Sequence, residues 1–164
     1  MQIQILASGS SGNAAFFELG NTKILIDAGI SARRIERSLA TIGVKAGELD
    51  AILITHEHTD HTNGVDVLSR RYHLPVYARP LTWNELRFRE KLDKECRLEM
   101  PDSFAIGQVK VEPFNISHDA VDPVGFCLHH EDRKYVIATD LGKITPDSQG
   151  GLGLGRHSCP GSKS

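Results

Sequence analysis

The sequence predicts an α/β fold, and three observations support that class. Short apolar runs alternate with helical patterns, as they do where parallel strands are joined by crossover helices. Pairs of strand-like runs joined by short turns predict two hairpins elsewhere. One apolar run, Ala51–Ile54, leads directly into the histidine-rich segment 55–61, as a buried strand does when it positions a functional loop. At 164 residues, the chain has the size of one domain.

The bulk composition limits the classes of partner and location. The formal net charge of -2 gives no basic excess that would indicate nucleic acid, and no apolar run approaches the ~20 residues of a membrane span. Met1–Leu6 alternates like a strand and lacks the basic start and long apolar core of a signal peptide. The cysteines form no Cys-x-x-Cys pair. We therefore expect a cytoplasmic protein without membrane contact.

The first elements are predicted to be three strands and a small-residue loop. Gln2–Ala7 is the first strand, and Ala14–Leu19 and Lys23–Ile26 form a hairpin. The loop Ser8–Asn13 is expected to make a tight turn near the site rather than a phosphate cradle, because it lacks the Gly-Lys-Ser/Thr ending of a P-loop. Asp27 follows the third strand. We expect its carboxylate to orient a histidine or cap a turn rather than to bind metal directly.

Two helices are predicted on either side of the histidine-rich segment. The first begins after Ser31 as its N-cap and stops at Gly43. The second spans Val65–Tyr72, and a short strand, Pro75–Ala78, follows it. A strand so soon after a helix is typical of an α/β protein.

A third helix is expected after that strand. The capping box Thr82-x-x-Glu85 predicts its start, and the charged pattern predicts that it continues to about Cys96. Leu86 and Leu92 are expected to face inward, and the charged side chains to face solvent.

The histidine-rich segment carries the candidate metal chemistry. In an extended segment, side chains two residues apart point the same way, so His56 and His58 can face one ion together. A turn then brings Asp60 and His61 to a second position close by. Imidazole suits zinc, iron and manganese. Two metals roughly 3.5–4 Å apart can share a hydroxide and hold a phosphate or carbonyl between them. Chance proximity is a poor explanation for so many ligand side chains directly after a strand.

The later part of the chain adds two more candidate ligands. Phe104–Ile116 predicts strands that turn at Gly107 and end at His118, which we expect to bind metal because the first site still lacks a nitrogen ligand. Asp140 follows a predicted hairpin of Val124–His130 and Lys134–Thr139, and its carboxylate could bridge two cations. The other histidines of this region are expected to be structural or on the surface: His73, His129 and His130.

Together these motifs resemble the metallo-β-lactamase superfamily. The matching residues occur in the family's order: Asp27, His56, His58, Asp60, His61, His118 and Asp140. The details around 7–13, 26–29 and 117–125 look most like the bacterial YycJ/WalJ-type branch, which is related to nucleases and phosphodiesterases. The resemblance implies an αββα sandwich and a metal-dependent DNA exonuclease.

The resemblance also implies roles for these residues. One metal would be held by His56, His58 and His118, and a second by Asp60 and His61. Asp140 would bridge the two metals, and Asp27 would support the loop.

The chain departs from the family pattern after Asp140. The family supplies one more histidine to the second metal, and His157 is a poor match because its surroundings are rich in glycine and serine. We expect a family-like domain over 1–145 and a disordered, non-family tail over 146–164. The family's chains are longer, so the second half of the sandwich is expected to be largely missing, and a frameshift is one hypothesis for the tail.

The favoured hypothesis is a phosphodiesterase or DNA exonuclease with two divalent metal ions. Zinc is the expected metal, with manganese or iron as alternatives, and a hydroxide formed on the metal would attack phosphorus. Asp60 and His61 are the expected catalytic residues, with Asp60 also a candidate proton acceptor. One alternative is an impaired metal-binding fragment that self-associates through an uncovered sheet. Another is a hydrolase of a thioester, a lactone or a cyclic phosphate.

Overall fold

The computed structural model describes residues 1–138 and 143–146. The strands are β1 Gln2–Ala7, β2 Ala14–Leu19, β3 Thr22–Ile26, β4 Ala51–Leu53, β5 Val76–Ala78, β6 Arg97–Glu99, β7 Phe104–Ile106, β8 Val109–Asn115, β9 Val124–His130, β10 Arg133–Ala138 and β11 Lys143–Pro146. The first sheet contains β1 to β6 in sequence order, and the second has the order β11-β10-β9-β8-β7. Both hairpins predicted from the sequence are confirmed, as β2–β3 and β9–β10.

The helices that belong to the core pack on one side of the first sheet. The helices are α1 Ala32–Ala40, α2 Thr59–Thr62, α3 Val65–Tyr72 and α4 Pro80–Glu85, with 3-10 turns at Ala46–Glu48, Arg89–Lys91 and Lys94–Cys96. Ser31 caps α1 as predicted, and its Oγ accepts a hydrogen bond from the backbone N–H of Arg34 at 3.2 Å. The prediction of α3 is also confirmed, residue for residue.

Successive side chains on the strands of the first sheet pack alternately into two separate hydrophobic cores. On β2, Phe16 packs against the helices, whereas its neighbour Phe17 packs against the second sheet. On β3, Leu25 and Ile24 divide in the same way. Successive side chains of a strand point to opposite faces, so a strand buried on both faces is apolar throughout. The described residues therefore form three layers, a helical layer and two sheets.

The outer face of the second sheet carries a third apolar cluster. Its members are Phe114, Ile116, Cys127, Val136 and Ala138. The cluster contains no helical residue from the described part of the chain. The fourth layer of the αββα arrangement is thus not among those residues.

The predicted third helix is wrong in its extent. Pro80, at the first helical position, opens α4 two residues before the predicted capping box, because its ring fixes φ at a helical value. The helix ends at Leu86, where the backbone becomes extended with φ -86° and ψ 114°, and short 3-10 turns follow. Leu86 and Leu92 are nevertheless buried, as predicted. Burying these two leucines thus outweighs the local helix preference of the charged residues between them, although Arg, Glu and Lys favour helices.

The carboxyl ends of four parallel strands define one edge of the first sheet. β3, β4, β5 and β6 are parallel neighbours, so the segments that follow them leave from the same edge. Asp27 follows β3, and the histidine-rich segment follows β4. Ligand sites in α/β sheets lie outside such carboxyl ends. The loop 116–123 reaches the same edge, since the N–H of Val124 donates to the carbonyl of Thr55 at 3.0 Å.

Some predictions fall outside the described residues. Asp140 and residues 147–164 belong to this group, so the bridging carboxylate and the disordered tail stay predictions. The domain boundary between 145 and 146 falls within β11 and also stays a prediction. Among the described helices, none is long and apolar enough to cross a membrane.

Candidate metal centre

Three imidazoles from two distant parts of the chain meet at the carboxyl edge of the first sheet. His56, His58 and His118 each offer a nitrogen atom, and these atoms all lie within 4.8 Å of one another. The ring of His56 lies 4.6 Å from that of His58 and 4.6 Å from that of His118, centroid to centroid. Three imidazoles that leave room for a further ligand are a typical donor set for catalytic zinc.

The hydrogen bonds of His56 leave one nitrogen available. The hydroxyl of Thr55 donates to Oδ2 of Asp27 at 2.7 Å, because a carboxylate can only accept. Oγ1 of Thr55 lies 2.9 Å from Nδ1 of His56 and must therefore accept a hydrogen bond from the N–H at that position. Nε2 of His56 then carries a lone pair, and within the described residues it is buried without a hydrogen-bond partner. Such an orphaned nitrogen fits a metal ion, because a buried polar atom left unpaired is costly.

The electrostatics of His56 agree with a role as a neutral ligand. Burial, followed by the positive charge that His61, His118 and His58 would carry when protonated, lowers the pKa of His56 to about 3. The ring is then neutral across the physiological range. A histidine must be neutral to bind a metal ion.

Asp27 connects two histidines through its buried carboxylate. Oδ2 lies 2.6 Å from Nδ1 of His61, and Oδ1 accepts from the backbone N–H of Thr55 at 2.9 Å. Asp27 is only 1% exposed, and its φ of 62° turns the chain sharply after β3. Because Nδ1 of His61 donates to this carboxylate, His61 would bind a metal through Nε2.

Asp60 and His61 form a second group of donors beside the three imidazoles. Oδ2 of Asp60 lies 3.8 Å from Nε2 of His61, and the ring of His61 lies 4.1 Å from that of His56. The small-residue loop supports Asp60, because the N–H of Asn13 donates to the Asp60 carbonyl at 2.8 Å and its Nδ2 to Oδ2 at 3.5 Å. A carboxylate and an imidazole at such a distance could hold a second divalent cation.

Glycine is needed where β3 meets the metal-binding loop. A Cβ on Gly29 would lie 1.7 Å from the carbonyl oxygen of Asp60, which no side chain can tolerate. The N–H of Ala28 also donates to the carbonyl of His61 at 2.9 Å. The segment after β3 thus packs closely against α2, the helical turn that carries Asp60 and His61.

The loop that carries His118 is held against the rest of the centre by a hydrogen bond to a carboxylate and by an ion pair. The N–H of Val121 donates to the carboxylate of Glu57 at 3.1 Å. Nε of Arg79, at the end of β5, lies 3.5 Å from Oδ2 of Asp122. These contacts hold the loop at the same edge as the histidine-rich segment.

The structure brings most of the predicted site residues together. His56, His58, Asp60, His61, His118 and Asp27 lie in one region, whereas Asp140 is outside the described residues. Thr55, Asn13 and Glu57 also take part in the site, and no motif in the sequence indicates their roles. Only their positions, before the first histidine, at the end of the small-residue loop and between two histidines, could have indicated them.

The protein family follows from a match over nearly the whole chain. Residues 7–161 match the Metallo-beta-lactamase superfamily. The chain belongs to this superfamily. The resemblance drawn from the sequence motifs is therefore confirmed, and so is the metallo-β-lactamase-like fold class.

Two curated relatives within the superfamily are similar to most of the chain. Exodeoxyribonuclease WalJ of Streptococcus pneumoniae serotype 2 (strain D39) is 42% identical over 146 residues, which cover 86% of this chain and 54% of that protein. Exodeoxyribonuclease YycJ of Bacillus anthracis is 35% identical over 153 residues, which cover 92% of this chain and 58% of that protein. The chain thus spans a little over half the length of these relatives.

Solved structures of the superfamily share the fold. A metallo-β-lactamase from Cronobacter sakazakii superposes with a TM-score of 0.68 at 17% identity, covering 83% of this chain and 60% of the other. The metallo-β-lactamase fold protein YhfI from Bacillus subtilis gives a TM-score of 0.65 at 18% identity, covering 82% of this chain and 60% of the other. At such identities the likeness shows the fold alone.

Proposed function

We propose that the chain carries the metal-binding portion of a phosphodiester hydrolase that acts as a DNA exonuclease. The observation that carries the proposal is the buried, unpartnered Nε2 of His56, which converges with the nitrogens of His58 and His118. DNA as substrate is supported by the two exodeoxyribonucleases at 42% and 35% identity. The net charge of -2 adds no electrostatic argument for DNA.

In this proposal the two groups of donors hold two divalent cations, with zinc the first expectation and manganese or iron the alternatives. His56, His58 and His118 would hold the first, and Asp60 and His61 would contribute to the second. Asp140, which lies outside the described residues, stays the predicted bridge between them. When bound, such cations lower the pKa of water to roughly 7 and stabilise charge on the phosphate and the departing oxygen.

Other side chains of the site would orient the metal-binding histidines and assist proton transfer. The carboxylate of Asp27 and the hydroxyl of Thr55 fix the tautomers of His61 and His56, so that Nε2 of each faces the site. Asp60 is about one third exposed, so its carboxylate can both bind a cation and accept a proton from the attacking water. As that water's oxygen bonds to phosphorus, the bond from phosphorus to the departing ester oxygen breaks.

Metal analysis combined with a nuclease assay tests the proposal. The purified chain should contain divalent metal and release nucleotides from end-labelled DNA, and a variant carrying Asp60→Ala and His118→Ala should contain less metal and lose the nuclease activity. His130→Ala is a matched control, because this histidine lies at the end of β9 and outside the imidazole cluster. Unchanged metal content in the double variant would overturn the ligand assignment.

A second candidate is an impaired metal-binding fragment, and the observation behind it is the apolar cluster on the outer face of the second sheet, which contains no helical residue from the described part of the chain. Metal binding without turnover on DNA, together with association that rises with protein concentration, would support this candidate. Turnover on a thioester, a lactone or a cyclic phosphate, and not on DNA, would instead point to another substrate. The cytoplasmic location stays a prediction.

A further inference from the structure

A second cluster of ligand side chains lies at the opposite edge of the first sheet. His73 follows α3 and precedes β5, and Cys96 ends the turn that precedes β6. Since β5 and β6 are parallel, both residues lie at amino ends of strands, whereas the first metal centre lies at carboxyl ends. The two centres therefore share no residue and no loop.

The cluster combines three different kinds of donor atom. A ring nitrogen of His73, a carboxylate oxygen of Asp93 and Sγ of Cys96 all lie within 4.8 Å of one another. Nitrogen, oxygen and sulfur donors are those that zinc accepts in proteins, whereas magnesium and calcium take oxygen alone.

The imidazole of His73 is oriented as in many metal sites. Nδ1 lies 3.1 Å from Oδ2 of Asp93, and Nε2 lies 3.5 Å from Oε1 of Glu95 on the other side of the ring. Metal-bound histidines commonly donate their second ring N–H to a carboxylate, which fixes the ring and its tautomer. Glu95 can serve in that role while Nδ1 faces the cluster.

The side chains can close onto an ion with little movement. Ligands at about 2.0–2.3 Å from a tetrahedral zinc are separated by roughly 3.3–3.8 Å. The donors lie within 4.8 Å of one another, so no pair needs to approach by more than about 1.5 Å. His73 and Asp93 are 58% and 62% exposed and are free to rotate inward, while the thiol of Cys96 is held in place by burial. A water molecule could complete the tetrahedron.

We propose that His73, Asp93 and Cys96 form a separate metal site, distinct from the centre at the carboxyl edge, and that it binds a zinc-like divalent cation. The ion would join the end of α3 to the turn before β6, the last strand of the first sheet, and so would have a structural role. The competing explanation is an exposed ion pair between His73 and Asp93, which contributes little to stability.

Cobalt(II) titration of the full chain separates the two explanations. A thiolate bound to cobalt gives an intense charge-transfer absorption in the near ultraviolet, whereas the proposed first centre holds only nitrogen and oxygen donors. We expect this absorption with the unmodified chain and its loss in Cys96→Ser. His73→Gln and Asp93→Asn, at exposed positions that should not impair folding, should weaken cobalt binding at this site by more than about tenfold.

Two controls assign the signal. Cys159→Ser should keep the absorption, and the double variant Asp60→Ala/His118→Ala should keep it even if the first centre is lost. Absence of the absorption at saturating cobalt would overturn the proposal, as would a signal that survives Cys96→Ser or is unchanged in both His73→Gln and Asp93→Asn. Because the readout is sulfur ligation, its failure is distinct from failure of the proposed nuclease activity.

Discussion

Oδ2 of Asp27 lies 2.6 Å from Nδ1 of His61, and the same oxygen accepts the hydroxyl proton of Thr55 at 2.7 Å. Through these two contacts, one buried carboxylate sets the tautomers of both His61 and His56. The metal-binding edge of the sheet thus depends on a residue that does not itself need to touch the metal.

Replacing Asp27 by asparagine should weaken metal binding. The carboxylate of Asp27 accepts hydrogen bonds from Thr55 and from Nδ1 of His61. An amide replaces one of its two oxygens by an N–H₂ group, which cannot accept, so at least one of these hydrogen bonds is lost. We expect zinc affinity to fall by roughly 10–100-fold, the usual effect of losing a partner that orients a metal-bound histidine. Calorimetric titration of the metal-free chain measures this affinity. Asp132→Asn, in the exposed turn between β9 and β10, is the matched control, and equal affinities for the two variants would contradict the prediction.

Replacing Thr55 by valine tests the hydroxyl that connects Asp27 to His56. The change keeps the shape of the fully buried side chain but leaves Nδ1 of His56 without an acceptor. We expect the free energy of unfolding of the metal-free chain to fall by about 1–3 kcal/mol, the cost of an unpaired buried polar group. Urea unfolding measures the change. Thr55→Ser retains the hydroxyl and should restore most of the lost stability; a serine variant as unstable as the valine variant would argue against this role.

Gly29→Ala should disrupt the contact between β3 and the metal-binding loop. The added Cβ would meet the carbonyl oxygen of Asp60 at 1.7 Å, so the backbone that carries Asp60 must move. We expect a loss of about 3 kcal/mol or more, at the upper end of overpacking effects, together with reduced metal content. Gly47→Ala is the comparison, because its Cβ would meet only the ring of Tyr72, whose nearest atom lies at 3.2 Å. Thermal unfolding of both variants measures the difference, and similar losses in the two would refute the prediction.

Acidification should destabilise the metal-free chain through His56. The pKa of His56 is lowered to about 3 in the folded state, mainly by burial, while an unfolded chain has the ordinary value near 6.5. Between these values the unfolded chain takes up a proton that the folded chain excludes, so stability is complete above about pH 6.5 and falls as the pH approaches 3. Melting temperatures measured from pH 7 to pH 4 should decrease less steeply for His56→Gln. Identical pH profiles would show that His56 does not contribute.

Patterns that depend on neighbouring residues were predicted well. The strands β2, β3 and β9 follow from short apolar runs bounded by turn residues, and α1 follows from its N-cap, Ser31, because these signals lie in neighbouring residues. The helix α3 was likewise predicted from its own short stretch of sequence. The extent of α4 could not be found in this way. There the burial of Leu86 and Leu92 against the first sheet competes with local helix preference, and only the packed structure decides between them.

The sequence by itself determined which donor atoms are available and that they follow the ends of strands, because both are local properties of the chain. The tertiary structure alone brought His118 to His56 and His58, since the distance between them depends on how the loop after β8 is held against the segment after β4. The tertiary structure likewise places Asp27 beside His61 and Thr55, and His73 beside Cys96. Distances between residues far apart in the chain are set by sheet register and packing, which no short stretch of residues encodes.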